Sequence, residues 1–345
     1  MSARLGGWED VELFLRTALD HAGAKLAKVD PDQGVRVRLG GTSFRFLESE
    51  PALVESIRLC LMSDDIAETE ATIFADYSGW HAEQSLQILR LRQENLISFD
   101  AELARLNIRA VYSSDRNSWD IFDQKQRLGV RLQVGPDAKP EWEVTAPLAH
   151  FCKWIAESDG KTMLHAASLA KGENGALLAG QGGAGKSGTT LGGLLAGLSS
   201  CGDDYTLLSQ GPKYVAHAVY RSVKQDPKGL ARLRLPTPTP LNWQGKAVFR
   251  PETINVAGIS HSTPVTALIM PEVGHSKARV LPGDPTLICK SLTFSTLRQL
   301  GTDYASVFKF CAGLARELPC YKLELSAAND ENVSVLNDLL GGHCA

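Results

Sequence analysis

The chain has 345 residues, 43% of them apolar and 22% charged, with a net charge of −3 and seven scattered cysteines. These are the values of an ordinary globular protein long enough for two domains, and they exclude a global electrostatic pull toward nucleic acid or an anionic membrane. There is no run of about 18 apolar residues to span a bilayer, Met1 to Val11 (with Glu9 and Asp10) has no signal-peptide core, and the odd cysteines form no C-x-x-C pair, so reduced thiols and a cytoplasmic setting are expected.

Taken in chain order, Val11 to Leu26 carries apolar residues at helical spacing. Val35 to Leu47 alternates around Gly40-Gly41-Thr42, the pattern of a β-hairpin. Pro51 to Met62 reads as a helix, Ala71 to Tyr77 as a strand, and Glu83 to Asn95 fits either. A helix over Ala101 to Leu106 and strands at Ile108–Tyr112 and Val130–Val134 complete a mixed N-terminal unit that carries no chemical motif. The polar, turn-rich stretch Gly135 to Pro140 marks the boundary, giving domains at 1–140 and 141–345. Beyond it, Ala146 to Ala156 reads as a helix and Met163 to Leu169 as one buried strand. The alternate prolines of Leu235 to Pro240 require an extended loop. Val265 to Met270 and Tyr321 to Leu325 are strand candidates, and Phe294–Leu300, Ala305–Leu318 and Val333–Leu340 are helix candidates.

The most informative stretch runs from Ala176 to Thr190. Gly180, Gly185, Lys186 and Ser187 fit G-x-x-x-x-G-K-[ST], the Walker A phosphate loop, after an apolar strand (Ala176–Ala179) and before a helical run (Thr189–Leu198). The candidate nucleotide-binding residues are Gly180, Gly182, Gly183, Ala184, Gly185, Lys186, Ser187 and Gly188. Main-chain amides in such a loop close around phosphate oxygens, helped by the partial positive charge of the helix start. Lys186 reaches the outer phosphates and the Ser187 hydroxyl holds Mg²⁺, so ATP and magnesium are the expected cofactors, with GTP left open. The plainer reading of these glycines is a turn followed by a chance Lys-Ser.

Sixteen residues after Lys186 stands Gly202-Asp203-Asp204. One carboxylate of such a pair can hold Mg²⁺ and the other can take the proton of an attacking hydroxyl. In isolation the same residues read as a solvated turn. The spacing lets the chain return from the loop helix, near Leu198, to the neighbourhood of the helix start. Arg221, Lys224, Lys228, Arg232 and Arg234 form a basic segment that suits either a phosphate clamp or a solvated loop. Arg298 is a lesser candidate.

Leu164-His165-Ala166-Ala167, the loop at 180–187 and Gly202-Asp203-Asp204 together resemble the HPr serine kinase family and its smaller relatives in lasso-peptide and other peptide-biosynthesis gene sets. The resemblance runs from about Pro147 to Leu340 and includes Pro319 to Leu325. It implies a phosphoenolpyruvate-carboxykinase-like α/β P-loop kinase domain with a mixed sheet, preceded here by a smaller α+β domain. It also implies Mg²⁺-dependent transfer of the ATP γ-phosphoryl group to a serine or other alcohol. By motif, Lys186 and Ser187 keep their triphosphate and metal roles. Asp203 or Asp204 supplies the general base while the other orients metal or substrate, with Asp203 the expected metal ligand beside Ser187. His165 lies near the transferred phosphoryl or is a core-edge histidine, and Lys224 is the ligand contact within the basic segment. No match exists to the glycine-rich signature that engages HPr, and Gly188 replaces the usual Thr, Ser or Glu, which argues against HPr as acceptor and against phosphorolysis. The expected partners are a nucleoside triphosphate and a peptide, protein or small hydroxylated acceptor, with no nucleic acid and no membrane; homo-oligomer formation stays open. Two rival readings are a nucleotide-gated binding protein and a simple ATPase.

Overall fold

A computed structural model describes residues 8–61, 66, 68–82, 96–113, 118–137, 141–301 and 303–342. The chain divides into two compact units, Met1–Arg58 with Ser63–Ser158, and Leu59–Met62 with Asp159–Ala345. The division near 140 read from the sequence therefore differs from this one, which leaves the helix at 149–158 with the first unit.

The first unit is built on a six-stranded mixed sheet in the order β1 (Val35–Leu39), β2 (Thr42–Glu48), β3 (Ala71–Asp76), β6 (Leu128–Leu132), β5 (Ser118–Asp123), β4 (Ile108–Ser113). Helix α1 (Trp8–Leu26) buries Val11, Phe14, Leu15, Ala18, Leu19 and Ala22. Of the apolar positions at that spacing, Leu13 is instead exposed and Leu26 only partly buried. The remaining helices are α2 (Val54–Cys60), α3 (Leu96–Leu106) and α4 (Ala149–Ser158). Strand β5 was not foreseen: Ser-Trp-Asp-Ile-Phe-Asp lacks clean alternation because all six positions are buried. Its Asp120 is held there by Arg131 of β6 through bonds of 2.6 and 2.8 Å, with Arg131 also paired to Glu143. The ambiguous stretch Glu83–Asn95 lies outside the described residues.

The second unit contains a five-stranded mixed sheet in the order β16 (Arg279–Pro282), β17 (Cys320–Ser326), β15 (Ala267–His275), β9 (Asn174–Leu178), β8 (Ala167–Lys171). Strands β17, β15 and β9 are mutually parallel. The interior strand β9 is buried on both faces, which is why it reads as a continuous apolar run. Ala176 and Leu178 join a core with Leu323, Leu336 and Leu340, whereas Leu177 and Ala179 join the core on the other side. A separate antiparallel sheet, β14 (Ser262–Val265), β11 (Tyr214–Ala218), β10 (Thr206–Ser209), β7 (Thr162–Leu164), contributes Leu164, Leu208 and Ala216 to that second core. The short ladder β12 (Val223–Gln225) with β13 (Ala247–Phe249), and helices α5 (Lys186–Leu195), α6 (Pro227–Arg232), α7 (Pro285–Leu300), α8 (Tyr304–Glu317) and α9 (Asn329–Leu340), complete the unit. Among the described residues no helix is long and apolar enough to cross a membrane.

Two expected single strands are each two strands in different sheets. Met163–Leu169 breaks at His165–Ala166 between β7 and β8, and Val265–Met270 breaks at Thr266 between β14 and β15. At both breaks a threonine hydroxyl serves main-chain atoms. Thr296 Oγ1 accepts from His165 N at 3.0 Å, and Thr266 Oγ1 donates to Gly175 O at 3.0 Å. Apolar periodicity cannot reveal such a change of sheet, because the residues on either side stay buried.

Candidate functional site

Strand β9 ends at Leu178, and residues 179–185 lead into α5 at the carboxyl end of the parallel strands, where open α/β sheets place their ligands. Gly185 caps α5 in the left-handed region (φ 104°), and a Cβ there would stand 2.6 Å from Leu325 Cδ1. Only glycine suits both its backbone and its surroundings. Gly182 and Gly183 have open space where side chains would be, and Ala184 N donates to Gln181 O at 3.2 Å within the loop. Lys186 is 6% exposed and donates to Gly180 O at 2.6 Å. Burial pulls its pKa down, against the opposing charges of Asp204 and Asp203.

After α5 the chain runs back beside β8: Ala170 N donates to Ser199 O at 2.8 Å and Ser168 N to Gly202 O at 2.9 Å. Because β8 is antiparallel to β9, with Ala167 opposite Leu178, this return ends where the loop begins. It therefore delivers Asp203 and Asp204 to the start of α5. Gly202 (φ 153°) makes the turn, and a Cβ there would meet Tyr205 O at 2.8 Å.

The two acids have different partners. Asp203, 3% exposed, accepts from Lys224 N at 3.1 Å and lies close enough to the Ser187 hydroxyl for that group to favour its ionised form. Burial and the Asp204 charge raise its pKa. Asp204 accepts from His165 Nε2 at 2.9 Å and pairs with Lys224 Nζ. Burial works against its ionisation, but Lys224 and His165 hold its pKa well below the usual carboxylate range. Lys224 is raised despite its burial, because Asp204 and Asp203 face it. Register explains the histidine: Leu164 of β7 lies opposite Thr206 of β10, so His165 falls beside Tyr205 (ring centroids 5.6 Å apart) and next to Asp204.

Lys186, Ser187, Asp203, Asp204, His165 and Lys224 thus converge around the start of α5. Lys224, the expected ligand contact, pairs its ammonium with Asp204 in this structure. Of the rest of the basic segment, Arg232 and Arg234 are exposed, as is Arg298 on α7. Sequence reasoning missed Lys246, whose charge acts on Lys186 from the residue preceding β13. It also missed Cys60, whose buried thiol is hydrogen-bonded by Ser222 and lies near Lys224. No local pattern announces either residue, since both arrive through tertiary contacts.

The donor set suits magnesium. That ion takes one or two protein oxygens and completes its shell with phosphates and water, and the Ser187 hydroxyl and the Asp203 carboxylate lie close together. Among the described residues no group of three or more His, Cys, Asp or Glu could hold a metal unaided.

Compared with known proteins, no family model and no curated protein matches the chain. Among solved structures it is similar to the Hpr(Ser) kinase/phosphatase from Coxiella burnetii, at 12% identity over 53% of this chain and 95% of that one, with a TM-score of 0.29. A likeness at that score supports nothing by itself.

Proposed function

We propose that the second unit is a Mg²⁺- and ATP-dependent phosphotransferase acting on an alcohol hydroxyl, and a divergent relative of the HPr serine kinases. The observation that carries this reading is the division of labour in the acid pair. Asp203 is buried against the phosphate-loop serine, while Asp204 is more open and oriented by two other side chains. In this reading Ser187 and Asp203 hold Mg²⁺, which when bound neutralises charge on the phosphates. The loop amides and Lys186 bind and orient the triphosphate. Asp204 accepts the proton of the attacking hydroxyl as the new O–P bond forms and the bond from Pγ to the bridging oxygen breaks. The electron pair of that bond stays on the β-phosphate side, where Lys186 offsets the charge. His165 and Lys224 fix the Asp204 carboxylate but also hold its pKa low, so it is a weak base. That is sufficient for phosphoryl transfer, whose loose transition state needs positioning and cations more than strong proton abstraction.

Incubation with γ-labelled ATP, Mg²⁺ and fractionated peptide, protein and small-molecule acceptors tests the proposal. Stable label on an acceptor, abolished by Asp204→Asn, is the expected result. Phosphate release independent of any acceptor indicates an ATPase, and binding without turnover indicates a nucleotide-gated binding protein.

A further inference from the structure

Helices α7 and α8 follow one another along the chain and pack together, and their outer side is rich in exposed apolar side chains. Leu287, Phe294, Tyr304 and Phe308 stand there, and they include every Phe and Tyr among the exposed large apolar residues described. Phe294 and Tyr304 meet across the helix pair with ring centroids 6.5 Å apart, and Tyr304 and Phe308 stack at 5.7 Å. Single exposed apolar residues are ordinary, but a contiguous group marks a surface that binds something. We propose that this face docks an acidic polypeptide segment that carries apolar side chains between its carboxylates. Such docking is independent of the phosphotransfer reading.

Charge selects the partner. In a chain of net charge −3, residues 285–317 hold Lys290, Arg298, Lys309 and Arg316 against Asp303 and Glu317. All four cations are exposed, and none forms an ion pair among the described residues. The two acids are engaged at helix ends. Asp303 caps α8 through Ala305 N and Ser306 N, and Glu317 accepts from the Tyr214 hydroxyl at 2.6 Å. Leu287, Lys290, Phe294 and Arg298 follow at intervals of three or four residues, so they share one side of α7. Tyr304, Phe308, Ala312 and Arg316 do the same on α8, with Lys309 next to Phe308 in the chain. Positive charge is thus interleaved with apolar contact, and its complement is a chain that interleaves Glu or Asp with Leu or Phe.

Other occupants match this pattern less well. A second copy joined about a twofold axis through the same face would set cations against cations. A bilayer takes a helix whose cations stand on a separate polar side, whereas Lys290 and Arg298 lie in the stripe of Leu287 and Phe294. Nucleobases need free ring faces to stack on, and Tyr304 and Phe308 cover one another. The inner side of α7 is already committed to the core and the candidate site. There Thr296 Oγ1 accepts from His165 N at 3.0 Å and Ser295 Oγ donates to His165 O at 3.4 Å. None of the outer side chains takes part in those bonds.

Fluorescence anisotropy with the full chain and two dye-labelled synthetic peptides tests the inference. One peptide repeats Leu-Glu-Glu-Phe-Glu-Glu, and the other has Gln in place of every Glu. The acidic peptide should bind about 10-fold or more tighter at low salt, with the difference narrowing as salt is added. Lys290→Glu combined with Lys309→Glu should weaken it about 10-fold or more, at an unchanged melting temperature. Phe294→Ser combined with Phe308→Ser should do the same, and either pair carries the test if the other disturbs folding. No binding of the acidic peptide, equal binding of the two peptides, or an affinity indifferent to both pairs overturns the proposal. So does tighter binding of phosphatidylserine vesicles or of a uridine oligonucleotide that is lost in the same variants. Self-association in sedimentation that the phenylalanine pair abolishes assigns the face to a second copy and overturns it as well.

Discussion

Replacing Lys224 by methionine isolates the electrostatic problem on which this site is built. The ammonium pairs with Asp204, and the backbone of the same residue donates to Asp203. Methionine keeps the stem and the main-chain bond but leaves the two adjacent carboxylates with the His165 hydrogen bond and the charge of Lys186. Removing one member of a buried ion pair costs about 3–5 kcal/mol. Because the Lys224 and Asp204 side chains retain 19% and 24% exposure, the lower end, about 3 kcal/mol, applies here. For a unit of this size that corresponds to a melting temperature about 6–12 °C lower. The sign with pH follows from Asp203. Its folded pKa is raised, first by burial and then by Asp204. Its contribution to stability is therefore present below the unfolded carboxylate pKa and lost as pH rises through the folded value. Removing the ammonium raises the pair further, so the deficit should be small in mild acid, where one carboxyl stays protonated, and full above neutrality. Mg²⁺ with ATP should restore much of it by supplying another cation. Thermal denaturation at pH 5.5 and pH 8, with and without Mg²⁺–ATP, measures all of this. A deficit that is independent of pH, or no deficit at all, refutes the reasoning.

Lys186→Met should weaken Mg²⁺–ATP binding by about 100-fold or more in calorimetry. It should leave the nucleotide-free melting temperature unchanged or slightly higher, since burial already disfavours this ammonium. Asp204→Asn should reduce phosphoryl transfer by about 10²–10⁴ while nucleotide affinity is retained. Asp203→Asn should instead raise the Mg²⁺ concentration needed for half-maximal binding, and the two effects are separated by titrating the metal at fixed ATP. His165→Ala should lower kcat by about 10-fold and displace the acid limb of its pH profile upward, because Asp204 loses one of the partners that holds its pKa down. Gly185→Ala should destabilise the protein by about 2–4 kcal/mol in denaturant titration, combining a left-handed φ with a methyl forced against Leu325.

The glycine loop with Lys186 and Ser187, and the expectation of a phosphate site there, are legible in the amino-acid order because the pattern is local. A cradle of amides needs glycines, a lysine and a hydroxyl at fixed separations along one short piece of chain. Most helices were legible for a similar reason: an amphipathic face such as that of α1 or α8 is written at 3.6-residue spacing. What the two acids do could not be read this way. Asp203 and Asp204 are neighbours with the same side chain, and only the return along β8 and the β7–β10 register give one of them Ser187 and the other His165 and Lys224. The sheet changes at His165 and Thr266 and the buried strand around Asp120 belong to the same class. Each depends on residues far apart in the chain whose burial and pairing are decided by the three-dimensional fold. Local sequence sets which conformations and chemical groups are available. Tertiary packing, by controlling desolvation and the approach of charges, decides what each of those groups is able to do.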